Sequence, residues 1–592
     1  MEIKSEVKSL SKGDKYEIIS ELAKRRGFFW PSYEIYGGVS GFITFGPLGT
    51  LLKKRIEEKF RRFFIQKLGI YEIENSVIVP AKIFEASGHV ESFREPMVEC
   101  KKCKRKFRAD HLLQEFAGMS DTETEKLSLK ELKETIESKG IVCPECGGKF
   151  GEPKYFLTMF ETRIGPYAEA VGYGRPEAAQ GIFVEFQRLY DCARGKLPFG
   201  VAQIGHALRN EISPRQGPIR LREFTIIDIE FFFDPEEPQC PLIEEVKDEK
   251  LRLIPAELKL KGIYEPIEVT VSKALEMGYI KTEWQAFFMA WAKRFLQSLG
   301  VPAENQRFIE KLEWERAHYS AQGYDQEVLL ERWGWVEVSG HNYRTDFDLR
   351  RHMEHSGADL RVFKEYEKPI IKERTVIKPI GATIGPEFKE KAKEVIKFLE
   401  EANPQEIEQS FKEKGYYILG DYKILPKHVK IIHEKVEEKG RRFIPHVVEP
   451  SFGLDRLVYV ALEYAYKTKD GRPILSFPRD IAPIQVGVYP LVSRDGLPEK
   501  AKEIYRMLID EGFTAEYDES GSIGRRYARA DEIGTPLGIT VDYQTLKDDS
   551  VTIRDRDSWK QVRTSIKDLP KLLHEYFNWK IDFENLGEPF KD

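Results

Sequence analysis

The stretch RNEISPRQGPIRLREFTIIDIEFFF, from Arg209 to Phe233, constrains the fold of this chain more than any other. Two apolar-rich runs, 201–211 and 219–233, flank a loop that is rich in proline and glycine, as in the two arms of an antiparallel hairpin. Side chains alternate between the faces of a strand, so Arg209 and Glu211 share a face. One face of the return arm then presents the side chains of Phe224, Ile226, Asp228 and Glu230.

Such a charged face is unfavourable as packing, because buried charges need partners. It suits a nucleotide, since a guanidinium binds phosphates and an aromatic ring stacks on a base. A solvated strand face with cross-strand ion pairs explains the same alternation. The stretch alone therefore leaves both interpretations open.

A second stretch, HVVEPSFGLDRLVYVALEYAYK, begins at His446. It predicts a short strand, a turn and then a helix, with Glu449, Ser451 and Arg456 close to the strand-to-helix junction. Such junctions readily present ligand-binding groups. Taken alone, Arg456 would be interpreted as a surface arginine.

Four of the six cysteines form two Cys-x-x-Cys pairs, the second inside CPECGG. Four thiolates at this spacing suit a tetrahedral metal, and the two small glycines let the backbone turn beneath it. We predict a structural zinc (Zn²⁺) site formed by Cys100, Cys103, Cys143 and Cys146. The alternatives are disulfides, which a reducing compartment disfavours, and four unligated thiols. Cys192 and Cys240 stand alone and are predicted to be core or surface residues.

The chain has 592 residues, enough for three to five units. Its net charge of −5 gives no global electrostatic reason for binding nucleic acid, so any such partner needs local basic patches. No apolar run approaches the roughly 20 residues of a membrane helix, and the start, MEIKSEVKSLSKGDKYEII, is too charged for a secretory signal. We predict a cytoplasmic protein with no membrane partner.

Apolar residues recur every three or four positions from Pro47 to Gly69, which predicts an amphipathic helix. The segment from about Ile481 alternates strand-like and helix-like runs, which is typical of a small α/β domain. Residues 241–330 and 360–440 are expected to be peripheral.

These stretches resemble known sequence motifs. GFITFGPLG with its helix resembles motif 1 of the class II aminoacyl-tRNA synthetases, Arg209 to Phe233 resembles motif 2, and EPSFGLDR resembles motif 3. RPEAAQGIFVEF, FRADHLL, RNEISPR and EPSFGLDR together resemble, more narrowly, the dimeric glycyl-tRNA synthetases of archaea, eukaryotes and some bacteria. The resemblance covers nearly the whole chain.

The resemblance implies an α+β fold in which helices flank an antiparallel sheet, with insertions and a C-terminal α/β anticodon-binding domain. The helix at Pro47 would form the interface of a homodimer. The implied domains are a catalytic domain at 1–95, 153–240, 331–359 and 441–478, a zinc-knuckle insertion at 96–152, a helical or mixed insertion at 241–330, a charged insertion at 360–440, and the anticodon-binding domain at 479–592.

The resemblance also implies how ATP is bound. Arg209 would contact the α-phosphate, Glu211 would face the adenine, Phe224 would stack under the base and Arg456 would cover its other face. Arg209, Arg344 and Arg456, with Mg²⁺, would stabilise charge at phosphorus and so carry catalysis.

For glycine, the resemblance implies a pocket that surrounds the ammonium with acidic and polar groups. Arg344, in HNYRTDFDL, matches an arginine that faces the amino acid and the phosphates. The implied glycine-binding residues are Glu177, Asp228, Arg344, Glu449 and Ser451.

Two positions depart from the family. Ala178 stands where threonine is usual, which removes a hydroxyl contact. Asp228 stands where glutamate is usual, so either the pocket backbone lies closer to the carboxylate or a water fills the gap.

The expected function is that of a glycine–tRNA ligase. It would form glycyl-adenylate from glycine and ATP and transfer glycine to the 3′ end of tRNA(Gly), releasing AMP and pyrophosphate. Arg525, Arg526 and Arg529 would give the C-terminal domain a basic patch for tRNA, although a solvated helix face explains them equally well.

Two other functions compete with this expectation. A synthetase for threonine, proline, serine or histidine is opposed by RPEAAQG and EPSFGLDR. A catalytically silent relative that binds nucleic acid would be expected to lack the ATP-binding arginines and the pocket carboxylates, which are present here.

Overall fold

A computed structural model describes residues 14–120, 123–124, 126–166, 169–214 and 217–590. The charged start of the chain and two residues of the predicted hairpin loop, Arg215 and Gln216, lie outside this range. The described residues form two compact units, one comprising the chain up to Leu360 and from Pro445 onward, the other Arg361–Ile444. Within the described range, no helix has the length and apolarity to cross a membrane.

The first part of the chain consists of helices and short strands. In chain order they are α1 (Lys15–Arg26), β1 (Phe29–Pro31), β2 (Ile43–Phe45), α2 (Pro47–Phe60), β3 (Tyr71–Ile73), β4 (Ile78–Pro80), α3 (Ala81–Ala86) and α4 (His89–Ser92). The helix predicted from Pro47 is confirmed, and a π-helical turn, Arg61–Gln66, extends it. Leu52, Ile56 and Phe60 recur every four residues and are fully buried, so they attach this helix to the core.

The cysteine-bearing segment follows. Its described elements are β5 (Arg94–Glu99), β6 (Lys106–Arg108), α5 (Ala109–Ala117), α6 (Leu129–Ser138), β7 (Lys154–Leu157), β8 (Phe160–Arg163) and β9 (Val171–Gly174). Strands β6, β5 and β7 form a small sheet with its own apolar core.

The next segment contains most of the central sheet. Its elements are α7 (Ala179–Val184), α8 (Phe186–Cys192), β10 (Phe199–Leu208), β11 (Glu223–Phe233), β12 (Lys250–Ile254), α9 (Ala256–Leu260), β13 (Ile267–Thr270), α10 (Val271–Glu276), α11 (Glu283–Ser298), β14 (Gln306–Glu310), β15 (Gln322–Leu330), β16 (Gly334–Thr345) and α12 (Phe347–Ser356).

The remainder of the first unit comes after residue 444. Its elements are β21 (His446–Gly453), α16 (Leu454–Ala465), β22 (Tyr466–Lys469), β23 (Arg472–Leu475), β24 (Val486–Pro490), α17 (Leu497–Asp510), β25 (Ala515–Tyr517), α18 (Ile523–Ile533), β26 (Leu537–Val541), α19 (Thr545–Asp548), β27 (Ser550–Asp555), β28 (Gln561–Ser565), α20 (Leu569–Phe577) and β29 (Glu588–Pro589).

The second unit consists of a long antiparallel ribbon with a helical end. Its elements are β17 (Val362–Pro379), α13 (Gly381–Phe388), α14 (Ala392–Glu401), α15 (Pro404–Lys414), β18 (Tyr417–Leu419), β19 (Tyr422–Ile424) and β20 (Val429–Phe443). Strand β17 pairs with β20, and Ile384, Val395, Leu399 and Ile407 form a separate small core.

The central sheet has nine strands in the order β13-β12-β14-β15-β16-β21-β11-β10-β3, and all neighbours are antiparallel except β12 with β14 and β10 with β3. The predicted hairpin is β10 and β11, paired from Phe199 with Phe232 to Leu208 with Glu223. On β11, Ile227 and Ile229 join the main core. The opposite face of β11 carries Asp228, so the alternation expected for the return arm is confirmed. The first arm is shorter than expected: β10 ends at Leu208, and Arg209 and Glu211 lie in the loop after it rather than on one face of a strand.

The expectation that residues 241–330 are peripheral is wrong. Strands β12 to β15 continue the central sheet beyond β16, and α11 is buried along most of its length. Its sequence, EWQAFFMAWAKRFLQS, is apolar on nearly every side, which is the pattern of a helix inside a core.

The C-terminal segment forms a six-stranded sheet in the order β25-β24-β26-β27-β28-β29 with helices packed on it. Its first three strands are parallel and separated by helices, as the sequence predicts for an α/β domain.

Candidate active site

A cavity of about 760 Å³ opens over the exposed face of the central sheet. Its walls come from β11, β16, β21 and the segment 311–319 between β14 and β15. Nine residues are predicted to bind ATP or glycine, and all of them except Arg344 line it: Glu177, Arg209, Glu211, Phe224, Asp228, Glu449, Ser451 and Arg456.

Arg209 lies at one end of the cavity, immediately after β10. Its backbone N–H donates to Arg222 O (2.8 Å), and its Nε donates to Pro176 O (3.1 Å). The centre of the guanidinium is 5.4 Å from the ring centroid of Phe224. A cation and an aromatic face therefore stand together at this end, as the base and phosphates of a nucleotide require.

Glu211 continues the same wall. Its Oε2 accepts from Nε of Arg220 (2.9 Å) and its backbone oxygen accepts from Nε of Arg222 (3.0 Å). Hydrogen bonds from Arg220 and Arg222 to Glu211 thus hold the loop after β10 in place.

Arg456 projects from the first turn of α16 towards the same end. Its Nε donates to Ile219 O (2.8 Å) and its Nη1 to Glu337 O (2.6 Å). These backbone bonds orient a guanidinium that the sequence alone assigned to the surface.

Three charged residues that the sequence did not single out lie beside Arg456. Lys311 Nζ is 3.1 Å from Asp325 Oδ1. Burial, followed by repulsion from Glu337, raises the pKa of Asp325 to about 7. Although enclosure favours the neutral acid, Arg456 and Lys311 hold the pKa of Glu337 below its usual value.

Asp228 and Ser451 pair across β11 and β21 and share the cavity face. Asp228 Oδ1 accepts from the Ser451 hydroxyl (2.6 Å), and Oδ2 accepts from the backbone N–H of Ala178 (2.6 Å). The pocket backbone thus approaches the shorter carboxylate directly. Burial raises the pKa of Asp228.

Glu449 lies on β21 opposite Asn342. Its Oε1 accepts from Arg344 Nη1 (2.7 Å) and its Oε2 from Asn342 Nδ2 (3.0 Å). Burial, with the nearby Glu177 and Asp228 carboxylates, raises the pKa of Glu449 to about 8, although Arg344 opposes this.

Glu177 completes the acidic end. Its Oε1 accepts from Gln180 Nε2 (3.1 Å), and its Oε2 accepts from the Tyr319 hydroxyl (3.3 Å). Burial favours the neutral acid, but His89 and Arg344 outweigh it and hold the pKa of Glu177 well below its usual value.

Contrary to the expectation from the resemblance, Arg344 does not face the cavity. It is completely buried, and its Nε and Nη2 each donate to Asp348 at 2.8 Å. The ring of Tyr319 covers it, with 3.6 Å from guanidinium to ring centroid. Arg344 binds Glu449 from the side away from the cavity and is not among the residues that line the cavity.

Glu230 also lies behind the pocket. It is fully buried, and neither carboxylate oxygen has a hydrogen-bond partner among the described residues. Burial, followed by repulsion from Glu449, raises its pKa well above the usual value. A neutral acid at this position limits the negative charge around Arg344.

One residue behind the pocket could have been found from the sequence by its surroundings. Gln180 is a polar residue inside a stretch that otherwise packs in the core, whereas Tyr319 and Asn342 lie among half-buried residues and gave no such signal. Buried polar groups require partners, so such residues mark either a network or a site.

The four predicted cysteines are brought together. Their Sγ atoms all lie within 4.8 Å of one another, and none of the six cysteines, all of which lie in the described part of the chain, forms a disulfide. A Cβ at Gly148 would be 2.9 Å from Cys100 Sγ, so glycine is needed for this approach. Four sulfurs at this spacing fit a tetrahedral zinc ion. Of the two remaining cysteines, Cys240 is buried and Cys192 exposed.

The arginines predicted to form a basic patch on α18 do not act together. Arg526 is buried and donates to Glu519 O and Gly521 O, both at 2.7 Å. Arg529 Nε donates to Asp518 Oδ2 (2.9 Å). Only Arg525 is exposed.

Comparison with known proteins gives close relatives. The chain is 48% identical over 583 residues to the glycine–tRNA ligase of Aeropyrum pernix, covering 98% of this chain and 99% of that protein. It is 50% identical over 570 residues to the glycine–tRNA ligase of Pyrococcus horikoshii, covering 95% of this chain and 99% of that protein.

Two further comparisons concern domains and fold. Residues 485–576 match the anticodon-binding domain family. A crystal structure of prolyl-tRNA synthetase from Cryptosporidium parvum, complexed with halofuginone and AMPPNP, has a TM-score of 0.50 at 13% identity, covering 96% of this chain and 78% of that one. At this identity the likeness concerns the fold alone.

Proposed function

Because the chain belongs to the glycine–tRNA ligase family, we propose that the cavity on its central sheet is where it carries out the reaction of that family. The enzyme joins glycine to tRNA(Gly) in two steps, through glycyl-adenylate, and releases AMP and pyrophosphate. One observation supports the placement: a single cavity has a guanidinium over an aromatic ring at one end and a carboxylate cluster at the other.

In the first step, a carboxylate oxygen of glycine attacks the α-phosphorus of ATP. The bond from that phosphorus to the bridging oxygen breaks, and pyrophosphate leaves with the electron pair. The nucleophile is already an anion, so positioning and charge stabilisation carry the step. Arg209 stabilises the charge at the α-phosphorus, with Phe224 under the base and Arg456 over it.

In the second step, a ribose hydroxyl at the 3′ end of tRNA attacks the carbonyl carbon of the adenylate. The ester bond forms, AMP leaves, and the hydroxyl proton passes to the phosphate or solvent. The C-terminal domain, at 479–592, binds the anticodon region of the tRNA, and Arg525 is its exposed contact.

Glycine is bound by its ammonium at the acidic end. Glu177, Asp228 and Glu449 face the ammonium, and Ser451 orients Asp228. Selectivity follows from space, because a β-carbon of a larger amino acid must displace groups that are already hydrogen-bonded to one another.

Mg²⁺ accompanies ATP, and the carboxylates of Asp325 and Glu337 would bind it. Carboxylate oxygens are the ligands that this ion prefers, and both residues line the end of the cavity that carries Arg456. When bound, the ion neutralises phosphate charge.

We further propose a zinc ion on the four cysteines, in a closed shell whose role is structural. We propose that the protein is cytoplasmic, where tRNA charging takes place. A homodimer is proposed because Ile35 and Tyr36, which precede the helix that begins at Pro47, are 89% and 86% exposed. Large apolar side chains left so open favour a partner surface.

The test is ATP–pyrophosphate exchange with glycine, alanine, serine, threonine and proline supplied separately. Arg209→Ala is expected to lower exchange with glycine by about 10²–10³-fold, since it removes charge stabilisation at phosphorus. The matched control is Arg188→Ala, an exposed arginine on α8, which should exchange normally. Near-normal exchange by a folded Arg209→Ala protein would overturn the role of Arg209.

A further inference from the structure

We infer that His89 is a positioning residue for glycine activation, which orients the Glu177 carboxylate towards the glycine ammonium and is itself fixed by Ser87. The inference rests on the proposed role of the cavity. It concerns a residue outside the cavity wall that acts through one in it.

His89 is fully enclosed at the start of α4. Its Nδ1 is 2.7 Å from the Ser87 hydroxyl, and its Nε2 is 3.1 Å from Glu177 Oε1. The imidazole stacks on Phe93, with ring centroids 5.2 Å apart and planes inclined by 21°. Nδ1 is thus anchored by a hydroxyl, and Nε2 lies at ion-pair distance from a pocket carboxylate and has no other hydrogen-bond partner among the described residues.

This arrangement determines where the Glu177 carboxylate points. Oε1 has Gln180 and His89 as neighbours, and Oε2 has the Tyr319 hydroxyl. Arg344 Nη2 is also within 3.5 Å of Oε1. Without His89, the carboxylate would be drawn towards Arg344, away from the space that the ammonium occupies.

A residue of the cavity wall, His318, also holds the turn that carries His89. Gly88 has a φ of 82°, a conformation that favours glycine, and a Cβ there would lie 3.2 Å from His318 Nε2. His318 lines the cavity, and its Nε2 is 2.7 Å from the backbone oxygen of Ser87. The cavity wall therefore holds both ends of the Ser87–His89 turn.

If His89 orients Glu177, substitutions of His89 should have different effects than if it only fills space in the core. Glutamine places an amide N–H close to the position of the histidine Nε2, whereas asparagine reaches only the position of Nδ1. His89→Gln can therefore donate to Glu177, while His89→Asn can contact Ser87 alone. The two variants remove a similar amount of aromatic packing, so a difference between them reports the Glu177 contact.

The experiment measures ATP–pyrophosphate exchange with the full-length protein, with glycine and ATP varied in turn. His89→Asn and His89→Ala are expected to raise the KM for glycine at least tenfold and leave the KM for ATP within twofold. His89→Gln is expected to restore the KM for glycine to within about threefold of the native value. A thermal melt of each variant confirms that it is folded.

Two further variants separate the outcomes. Glu177→Gln tests the pocket itself, because an unchanged KM for glycine in that variant would overturn the proposed site and the role of His89 with it. His574→Ala, a half-exposed histidine of the C-terminal domain, is the control and should exchange normally. If Glu177→Gln raises the KM while His89→Gln and His89→Asn behave alike, His89 contributes only packing and the inference fails. If His89→Ala does not fold, the Gln and Asn pair decides.

Discussion

Glu449 gives the pocket a pH dependence. Its carboxyl is enclosed with two other acids, and its pKa is raised to about 8. Below that pH the neutral acid predominates and attracts an ammonium weakly, whereas above it the carboxylate forms. Glycine binding should therefore strengthen as pH rises through 8, because the ammonium of the amino acid stays charged over this range.

The measurement is the KM for glycine at pH 6.5, 7.5 and 8.5 in pyrophosphate exchange, with the KM for ATP as an internal comparison. We expect the KM for glycine to fall by up to about 25-fold over the range, since the ionised fraction of a group with a pKa of about 8 rises by that factor between pH 6.5 and 8.5. A Glu449→Gln protein should bind glycine weakly with a flat profile. A KM for glycine that is flat in the native protein would contradict the assignment.

The same raised pKa affects stability in the opposite direction. The folded state holds a proton on Glu449 that the unfolded chain releases near the ordinary glutamate pKa of 4.5. The folded state therefore binds more protons between pH 4.5 and about 8, so this residue's contribution to stability decreases as pH rises through that window. Bound glycine offsets the loss by supplying a positive charge.

The identities of the pocket residues were predictable, but some orientations were not. Motif resemblance placed Glu177, Asp228, Glu449 and Ser451 at one site, and the structure brings them to one cavity. The motif resemblance could not show that Arg344 turns away from the cavity. The orientation of Arg344 depends on an ion pair with Asp348, four residues later in α12. Competition among several buried carboxylates for one cation is decided by packing, not by local sequence.

The cysteine segment is a small element with its own core. Its apolar cluster includes Val98, Leu113 and Leu132 beside the cysteines, and the four Sγ atoms lie within 4.8 Å. The zinc ion proposed for this site would supply much of the stability of so small a core, because binding energy becomes folding energy. The purified protein should contain about one zinc per chain by elemental analysis.

Cys146→Ser is expected to reduce the zinc content to near zero and to make residues 126–157 susceptible to proteolysis. Cys192→Ser, at an exposed lone cysteine, is the matched control and should retain the metal. Full zinc occupancy in Cys146→Ser would show that the metal is bound elsewhere.

The elements themselves were predictable to different degrees. The helix from Pro47 and the β10–β11 hairpin were recognisable because their periodicities are strong and their ends carry proline or glycine. The place of residues 241–330 was not, because short strands look alike whether they extend a central sheet or form a separate domain. Only long-range pairing, such as Gln322 with Tyr343, distinguishes the two arrangements.

Contacts far apart in sequence join the C-terminal domain to the catalytic part of the first unit. Glu532 on α18 accepts from Arg25 and Arg26 at the end of α1. Arg55 on α2 donates to Gln485 (2.9 Å), and Lys59 lies 2.7 Å from Asp480. These contacts fix the distance between the proposed active site and the domain that matches the anticodon-binding family.

Glu532→Ala should therefore weaken the contact between the C-terminal domain and α1 without changing any residue that lines the cavity. We expect glycine-dependent pyrophosphate exchange to remain within twofold, while kcat/KM for tRNA charging falls several-fold. Glu503→Ala, an exposed acid of α17 whose only described ion pair is with Lys500, should affect neither. Equal losses in exchange and charging would show that the contact stabilises the fold as a whole.

The strand order of the central sheet has a consequence for the newborn chain. Strand β21 lies between β11 and β16, yet it follows β16 by about 100 residues of sequence, including the whole of the second unit. During synthesis, β11 and β16 therefore expose two unpaired edges until residue 453 has left the ribosome. Open edges of this kind are templates for wrong pairing between chains, and late, long-range closure slows folding. The proposed glycine pocket, which takes Glu449 and Ser451 from that last strand, is therefore expected to be among the final parts of the molecule to form.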